Sequence, residues 1–367
     1  MHFALFVDII MPYSTEVYRI CGSNRRLCAR FANTIYRCDM KILRKISAIL
    51  LASVATLLCA CMGNTVTYTI FGGSFWLSDT EAGDVKSVSE TCTYNVSFVP
   101  EKDSPLEAEF TDESKLVTTL SNETIDGKLY YKFSVELTVK GKYKYGQKEV
   151  PVDDFVRSEC VFSGISDQLA PVKSSKSVRA TGASGLNENY YFTFTTYEQT
   201  ATYSGNSAVV TVKPGESIPE ELKNLSVSEV TVRETEKKYD KLKKPYIDNE
   251  LTLFFPRAAE LVSGFGASYY SIDALAEKVH TMRLSVNSEK DTTEITVPEF
   301  SENGLAPSEK AFACFNATIA LSESFAGSPI KLYFAADSAK NRKRLIRMEN
   351  SLAYSAGSLV YTLCSVR

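Results

Sequence analysis

Histidine and tryptophan are scarce in this chain, which has two histidines and one tryptophan among 367 residues. Only His280 lies within residues 61–367, so counting excludes a mechanism that uses two histidines, or a histidine-rich metal site, in that part. One isolated imidazole is more often a residue at the edge of a core than a general base. We therefore expect no metal site, and the shortage of histidine weighs against an enzyme.

Motifs that bind phosphate groups or activate a nucleophile are also missing. No G-x-x-x-x-G-K-[ST], G-x-G-x-x-G or G-x-S-x-G sequence occurs. Asp153 with Asp154, and Asp248 with Glu250, lack EF-hand spacing. We interpret them as solvated turn residues rather than as a calcium site or an acid–base pair. The sequence predicts no catalytic residues and no cofactor.

An excess of positive charge is absent from most of the chain. Residues 1–60 hold eight of the 41 Lys and Arg but only three of the 44 Asp and Glu. Residues 61–367 therefore carry 33 basic and 41 acidic residues, a net charge of about −8. Because nucleic-acid binding needs a basic surface that neutralises phosphates, we expect no nucleic-acid partner.

Helical periodicity is rare and strand patterns are frequent. The clearest strand is residues 128–140, in which apolar residues at odd positions alternate with mostly polar ones. Twelve further segments read as strands: 66–77, 88–99, 155–162, 190–203, 208–212, 230–236, 250–255, 282–286, 294–297, 312–321, 330–334 and 359–364. Short helices are predicted at 219–225, 257–264 and 272–279. These patterns predict an all-β fold of antiparallel sheets, packed like a sandwich or barrel, with few short helices.

One segment interrupts the strand patterns. Residues 171–189 are rich in Ser, Gly, Ala and Lys and lack apolar alternation, which is typical of a linker or a long loop. We predict a first β domain at residues 61–170 and a second β-rich domain at residues 190–367.

Residues 40–60 have the features of a secretory signal. Lys41, Arg44 and Lys45 precede thirteen uncharged residues, 46–58. This apolar run is shorter than the roughly 20 residues of a transmembrane helix, so we expect it to be removed.

The end of that run, Leu58-Cys59-Ala60-Cys61, resembles the lipobox of bacterial lipoproteins. The resemblance covers about 22 residues and implies that Cys61 is acylated and becomes the new amino terminus. It also implies a chain anchored to the cell membrane by lipid and facing outside the cytoplasm. A plain signal peptide or a retained anchor helix is the alternative. Residues 1–39 are interpreted as a non-native upstream extension, with Met40 as the real start.

Four cysteines follow Cys61, namely Cys92, Cys160, Cys314 and Cys364. None has C-x-x-C spacing, and in an oxidising compartment four cysteines allow three connectivities. Structural disulfides and buried thiols are both open, with Cys92–Cys160 and Cys314–Cys364 as the pairs that shared strand phase suggests.

Clusters of tyrosine are the one hint of a ligand site. Tyr190, Tyr191 and Tyr197 lie close together in sequence, and aromatic faces on a sheet can stack on sugar rings or peptides. Tyrosine is also simply favoured in strands. We expect a noncatalytic module that binds a glycan or an envelope protein. The alternatives are an extracytoplasmic hydrolase that uses carboxylates and a structural component of an envelope complex.

Overall fold

A computed structural model gives the fold of most of the chain after residue 84. The residues it describes are 85, 87–102, 104–163, 169–186, 189–243, 246–248, 251, 253, 257, 266–287, 292–321, 329–336, 343–352 and 356–367. The predicted signal segment, Cys61 and the predicted strand at 66–77 lie outside these ranges. The described residues belong to one compact unit.

The described residues are almost entirely extended, which confirms the predicted all-β fold. One short helix, α1, spans Glu220–Asn224. The strands are β1 Glu90–Pro100, β2 Leu106–Phe110, β3 Lys115–Ile125, β4 Lys128–Tyr145, β5 Lys148–Phe162, β6 Pro171–Leu186, β7 Asn189–Ser204, β8 Ser207–Pro214, β9 Ser228–Glu229, β10 Thr235–Tyr239, β11 Gly266–Asp273, β12 Lys278–Val286, β13 Thr293–Glu302, β14 Ser308–Leu321, β15 Ile330–Ala335, β16 Leu345–Ser351 and β17 Gly357–Val366.

Most neighbouring strands are antiparallel and joined by hairpins, and all belong to one sheet that curls into a barrel. The order across it is β10-β8-β7-β6-β5-β4-β3-β1-β17-β16-β15-β14-β12-β11. Strands β2, β9 and β13 pair beside β4, β7 and β14. The first described strand therefore lies beside the last, which brings the two ends of the described chain together.

The connection from β10 to β11 runs between the two outermost strands. Leu242 N–H donates to the Asn206 carbonyl at 2.8 Å, and Ile247 N–H donates to the Tyr270 carbonyl at 2.9 Å. Tyr246 also forms an isolated parallel bridge with Tyr270. The described part of this connection is thus hydrogen-bonded to the β7–β8 turn at Leu242 and to β11 at Ile247.

Alternation of buried and solvated side chains explains why these segments are strands. In β4 the odd positions from Tyr131 to Val139 are all buried, and the even positions between them are partly or fully exposed. Successive side chains of a strand point to opposite faces, so this pattern places one face of β4 on the core.

Turn residues set the strand register. Asp126 and Gly127 both have positive φ, 50° and 76°, the backbone of a type I′ hairpin turn between β3 and β4. Gly141 has a φ of 149° and lies where the partner of β4 changes from β3 to β2. A Cβ atom there would collide with the Glu109 carbonyl, so glycine permits this close approach.

The predicted linker at residues 171–189 is wrong. Pro171–Leu186 is strand β6, paired with β5 on one side and β7 on the other. Its buried face carries Ser174, Lys176, Val178 and Ala180. Because several of these inward residues are small or polar, the strand shows no alternation of apolar and polar residues in the sequence. The predicted domain boundary consequently falls inside the sheet.

Three other local predictions meet different outcomes. The short helix predicted at 219–225 is confirmed as α1. The helix predicted at 272–279 is wrong, because Gly266–Asp273 and Lys278–Val286 are strands joined by a turn. The described residues 251 and 253 of the strand predicted at 250–255 are not in a strand.

Candidate functional site

The three tyrosines predicted to stack on a ligand differ in their surroundings. Tyr197 is buried, with 2 % of its surface exposed, which rules out stacking on a ligand at the surface. Tyr191 is 46 % exposed. Tyr190 is half-buried and its ring lies 4.9 Å from that of Tyr145. Of the three predicted stacking residues, Tyr191 is therefore accessible to a ligand at the surface, and Tyr190 is accessible only in part.

The hydroxyl of Tyr190 is already engaged within the protein. It lies 3.0 Å from Ser104 Oγ, and that serine donates to the Ala356 carbonyl at 2.9 Å. These contacts fix the Tyr190 ring in place, so it serves first to hold neighbouring segments together.

The sequence left disulfides and buried thiols both open for the four cysteines after Cys61. The structure has all four as free thiols. Cys92, Cys160 and Cys314 are buried, and Cys364 donates to the Thr93 carbonyl at 3.3 Å. Burial raises the pKa of Cys92 and of Cys314 to about 12. Neither predicted pair is bonded, and the raised pKa values favour the neutral thiol at Cys92 and Cys314.

A surface groove of about 500 Å³ lies between α1 and the solvent-facing side of β4 and β5. Its lining residues are Gly141, Lys142, Glu149, Pro151, Glu221, Asn224 and Leu225. Lys142 Nζ lies 2.8 Å from Glu149 Oε2, and this hydrogen bond is the main cause that raises the pKa of Lys142. The groove therefore presents a paired cation and anion beside small apolar surfaces.

Buried polar side chains gather on the inner face of β6 and β7, around Asp248. Ser174 Oγ donates to Asp248 Oδ2 at 2.9 Å, and the Tyr203 hydroxyl donates to the same oxygen. The Tyr246 and Tyr203 rings lie 5.6 Å apart. Burial and then Asp248 raise the pKa of Tyr203 well above its usual value. These bonds attach the β10–β11 connection to the wall of the barrel.

Asp154 is a second buried carboxylate, and it has a different environment. It is 2 % exposed, and among the described residues neither of its oxygens forms a hydrogen bond of ordinary geometry. Burial raises its pKa to about 7, while the backbone and side-chain hydrogen-bonding groups of Thr181, and then the charge of Arg179, oppose that effect. Such a perturbed acid is a common mark of a functional position.

Glu90 is the third buried acid and is fully compensated. Arg257 donates to both Glu90 oxygens, with Nη2 at 3.1 Å from Oε2, and Arg344 Nε donates to Oε2 at 3.0 Å. Arg344 also reaches Glu302 at 3.0 Å. Burial raises the pKa of Glu90, but the two guanidinium groups outweigh burial and lower it overall.

His280 lies opposite Ser271 in the β11–β12 ladder, and its Nε2 is 3.6 Å from Asp273 Oδ2. Asp273 and Ser271 are 1 % and 3 % exposed. A serine this deeply buried cannot be reached by a substrate. Over the part of the chain that the structure describes, no three His, Cys, Asp or Glu side chains are grouped closely enough to hold a metal ion.

Sequence reasoning missed the buried acids. The sequence pattern predicts Asp154 and Asp248 to be solvated turn residues, but both are only 2 % exposed. The alternation of Val150, Val152, Asp154 and Val156 was a usable signal, because it puts Asp154 in phase with three apolar residues. No local signal marks Asp248, whose partners come from distant strands.

Within the described ranges, no helix is both long and apolar enough to span a lipid bilayer. No known family profile matches the chain, and no curated protein matches it. Among solved structures, it is similar to a β-barrel-like protein of a domain of unknown function, DUF1849, from Brucella abortus. That likeness has 9 % identity and a TM-score of 0.44, and it covers 77 % of this chain and 98 % of the other.

Proposed function

We propose that the chain is an extracytoplasmic lipoprotein of a bacterial cell membrane whose β-barrel is a noncatalytic binding module. The observation that carries the proposal is the segment Leu58-Cys59-Ala60-Cys61 behind a cationic and then apolar stretch. The lipid on Cys61 holds the module at the outer side of the membrane. A glycan or another envelope protein is its partner.

Two further features support a binding role over a catalytic one. The groove beside α1 offers hydrogen-bonding groups from Lys142, Glu149 and Asn224 next to the apolar Pro151 and Leu225, a combination that suits a sugar or a peptide. The His280–Asp273 contact lies beside Ser271, which is buried and offers no accessible nucleophile. A hydrolase therefore remains the alternative with less support.

Expression of the whole chain in a lipoprotein-competent bacterium tests the anchor. We expect a membrane-bound product whose intact mass equals residues 61–367 plus a diacylglyceryl group. A Cys61→Ala variant loses the lipid and the membrane association. Cys59→Ala is the matched control, because it removes the neighbouring thiol and leaves the predicted acylation site.

The opposite outcome is equally clear. An unlipidated product in the cytoplasm that still carries residues 1–39 would overturn the proposal. Loss of the lipid in both cysteine variants would show that the segment tolerates no change. The intact mass of the unaltered chain would then decide whether the protein is lipidated at all.

Binding is tested separately from export. A glycan array and a pull-down from envelope extracts compare the unaltered chain with a Lys142→Ala, Glu149→Ala double variant, which empties the groove of its ion pair. Loss of a reproducible partner in the double variant supports the groove. A partner that both proteins retain moves the binding surface elsewhere, and turnover of a substrate by the unaltered chain would favour the carboxylate-dependent hydrolase.

A further inference from the structure

The ladder between β5 and β6 covers only part of both strands. Its pairs run from Phe162 with Pro171 to Phe155 with Arg179. Residues 148–154 of β5 pair with β4, but in the described part of the chain no strand pairs with their other edge. They also take part in none of the described backbone hydrogen bonds of turns and loops. Residues 148–154 therefore form an open edge of the sheet.

The odd-numbered residues of β5 direct their backbone groups toward the open edge. Ser163, which follows β5 in the same phase, donates its N–H to the Ala170 carbonyl on the β6 side at 2.9 Å. Because alternate residues of a strand direct N–H and C=O groups to the same edge, Glu149, Pro151 and Asp153 face the open edge. A proline is tolerated at such a position, since no ladder hydrogen bond is lost there. The open edge thus offers the N–H groups of Glu149 and Asp153 and the carbonyl groups of all three residues.

The surface groove beside α1 borders this open edge. Glu149 and Pro151, both of the open edge, line the groove together with residues of β4 on one side and of α1 on the other. Its volume of about 500 Å³ is comparable to that of ligand sites in other proteins. An extended chain in the groove would therefore lie along the unpaired backbone groups of β5, with α1 on its opposite side.

Carboxylates outnumber cations around the groove and the open edge. The charged side chains on this surface and in its ion-pair network are Glu109, Lys142, Lys144, Glu149, Asp153, Arg179, Glu216 and Glu221. Five acids against three bases give this surface a net charge of −2. Glu221 is exposed, and the described ion pair of α1, Lys223 with Glu220 at 3.5 Å, does not include it. The surface therefore attracts a partner that carries positive charge.

We propose that the groove binds an extended peptide segment with basic side chains, which pairs with the open edge of β5 as an added strand. Backbone hydrogen bonds supply the affinity of such a complex, and contacts to alternate side chains supply its specificity. A second copy of the same edge is a poor partner, because it would bring the carboxylates of Glu149 and Asp153 against their own copies. The inference rests on the proposed binding role and narrows the partner to a peptide, whereas it does not depend on the lipid at Cys61.

A phage-displayed library of random dodecapeptides, selected on the purified full chain, supplies the probes. We expect the selected sequences to carry Lys or Arg at alternate positions, because successive side chains of a strand point to opposite faces. Fluorescence anisotropy of synthetic copies measures their affinity. Methylation of the alternate backbone nitrogens that face β5 should weaken binding roughly tenfold or more, since it removes several hydrogen bonds. Methylation of the intervening nitrogens, which face away from β5, is the matched control and should change the affinity much less.

Two variants of α1 test the position of the peptide without altering the barrel. Glu221→Lys reverses a charge that lines the groove and should weaken binding of the selected peptides roughly threefold to tenfold. Glu220→Lys makes the same change in the same turn, at a residue that does not line the groove, and should have little effect. Amide hydrogen exchange of Glu149 and Asp153 should slow when the peptide is bound, because their N–H groups gain partners.

The contrary results are distinct from a failure of the proposed function. Equal effects of the two methylation patterns, or equal affinities of Glu221→Lys and Glu220→Lys, would overturn strand addition in the groove. A library that yields no binding peptide would overturn it as well. A glycan that the unaltered chain binds and the Lys142→Ala, Glu149→Ala double variant does not would then support the binding module while excluding the peptide.

Discussion

Glu90 and Asp154 are both buried acids on strands of the same barrel, and their surroundings are opposite. Glu90 has two arginines on its oxygens, and its pKa is lowered. Asp154 has no hydrogen bond of ordinary geometry on either oxygen among the described residues, Thr181 and Arg179 offset its burial only in part, and its pKa is raised to about 7. Burial removes water from both carboxylates. The presence or absence of a bonded cation then decides whether the acid is permanently charged or titrates near neutrality.

This difference gives the two acids separate roles. The Glu90 network joins β1, Arg257 and Arg344, which directly precedes β16, so it holds distant parts of the chain together. Asp154 stands where the β5–β6 ladder ends, and no arginine is bonded to its carboxylate among the described residues. One acid stabilises the barrel at neutral pH, and the other makes its stability depend on pH.

The largest effect is expected from breaking the compensated network. Glu90→Gln leaves Arg257 and Arg344 buried beside a neutral amide, which should lower the free energy of unfolding by about 3–5 kcal/mol. Urea denaturation at pH 7 measures the loss. Glu302→Gln removes only the outer, more exposed partner of Arg344 and should cost much less. Equal losses in the two variants would contradict the special role of Glu90.

Asp154→Asn should change the pH dependence of stability. A carboxyl group whose pKa is raised on folding stabilises the protein at low pH, and that contribution is lost as the pH rises through the folded-state value of about 7. The unaltered chain should therefore lose about 2–3 kcal/mol more than the variant between pH 5 and pH 8. Parallel curves for the two proteins would show that Asp154 ionises normally. Asp153→Asn, on the exposed neighbour, should leave the curve unchanged.

Ser174→Ala should weaken the attachment of the β10–β11 connection. The change removes the Ser174 hydroxyl donor to Asp248, and the Tyr203 hydroxyl donor remains. We expect a loss of about 1–2 kcal/mol in the free energy of unfolding. Ser177→Ala, on the other face of β6, is the control and should cost less, and a reversed order would contradict the proposed anchor.

The smallest effect is expected at the solvent-facing ion pairs. Lys142→Ala breaks its contacts with Glu149 and Glu109, and all three groups are well solvated. We expect no measurable change in thermal unfolding, because salt and water already screen such pairs. A clear fall in melting temperature would show that the β4–β5 ion pairs stabilise the sheet.

Much of the fold could be predicted from the sequence, and the interior polar groups could not. The alternation in β4 is nearly complete, so residues 128–140 were recognisable as a strand. Strand β6 was missed because its inward positions include Ser174 and Lys176, whose burial depends on partners from other strands. Asp248 was missed for the same reason, since its donors lie 74 and 45 residues away.

A direct titration of the two buried acids tests this comparison best. Carboxyl carbon chemical shifts from labelled Asp and Glu, assigned with Asp154→Asn and Glu90→Gln, would be followed from pH 4 to pH 9. We expect Asp154 to titrate with a midpoint of about 7 and Glu90 to titrate below the ordinary glutamate range. The account would be contradicted by an Asp154 midpoint in the ordinary aspartate range. It would also be contradicted by a Glu90 midpoint higher than that of Asp154.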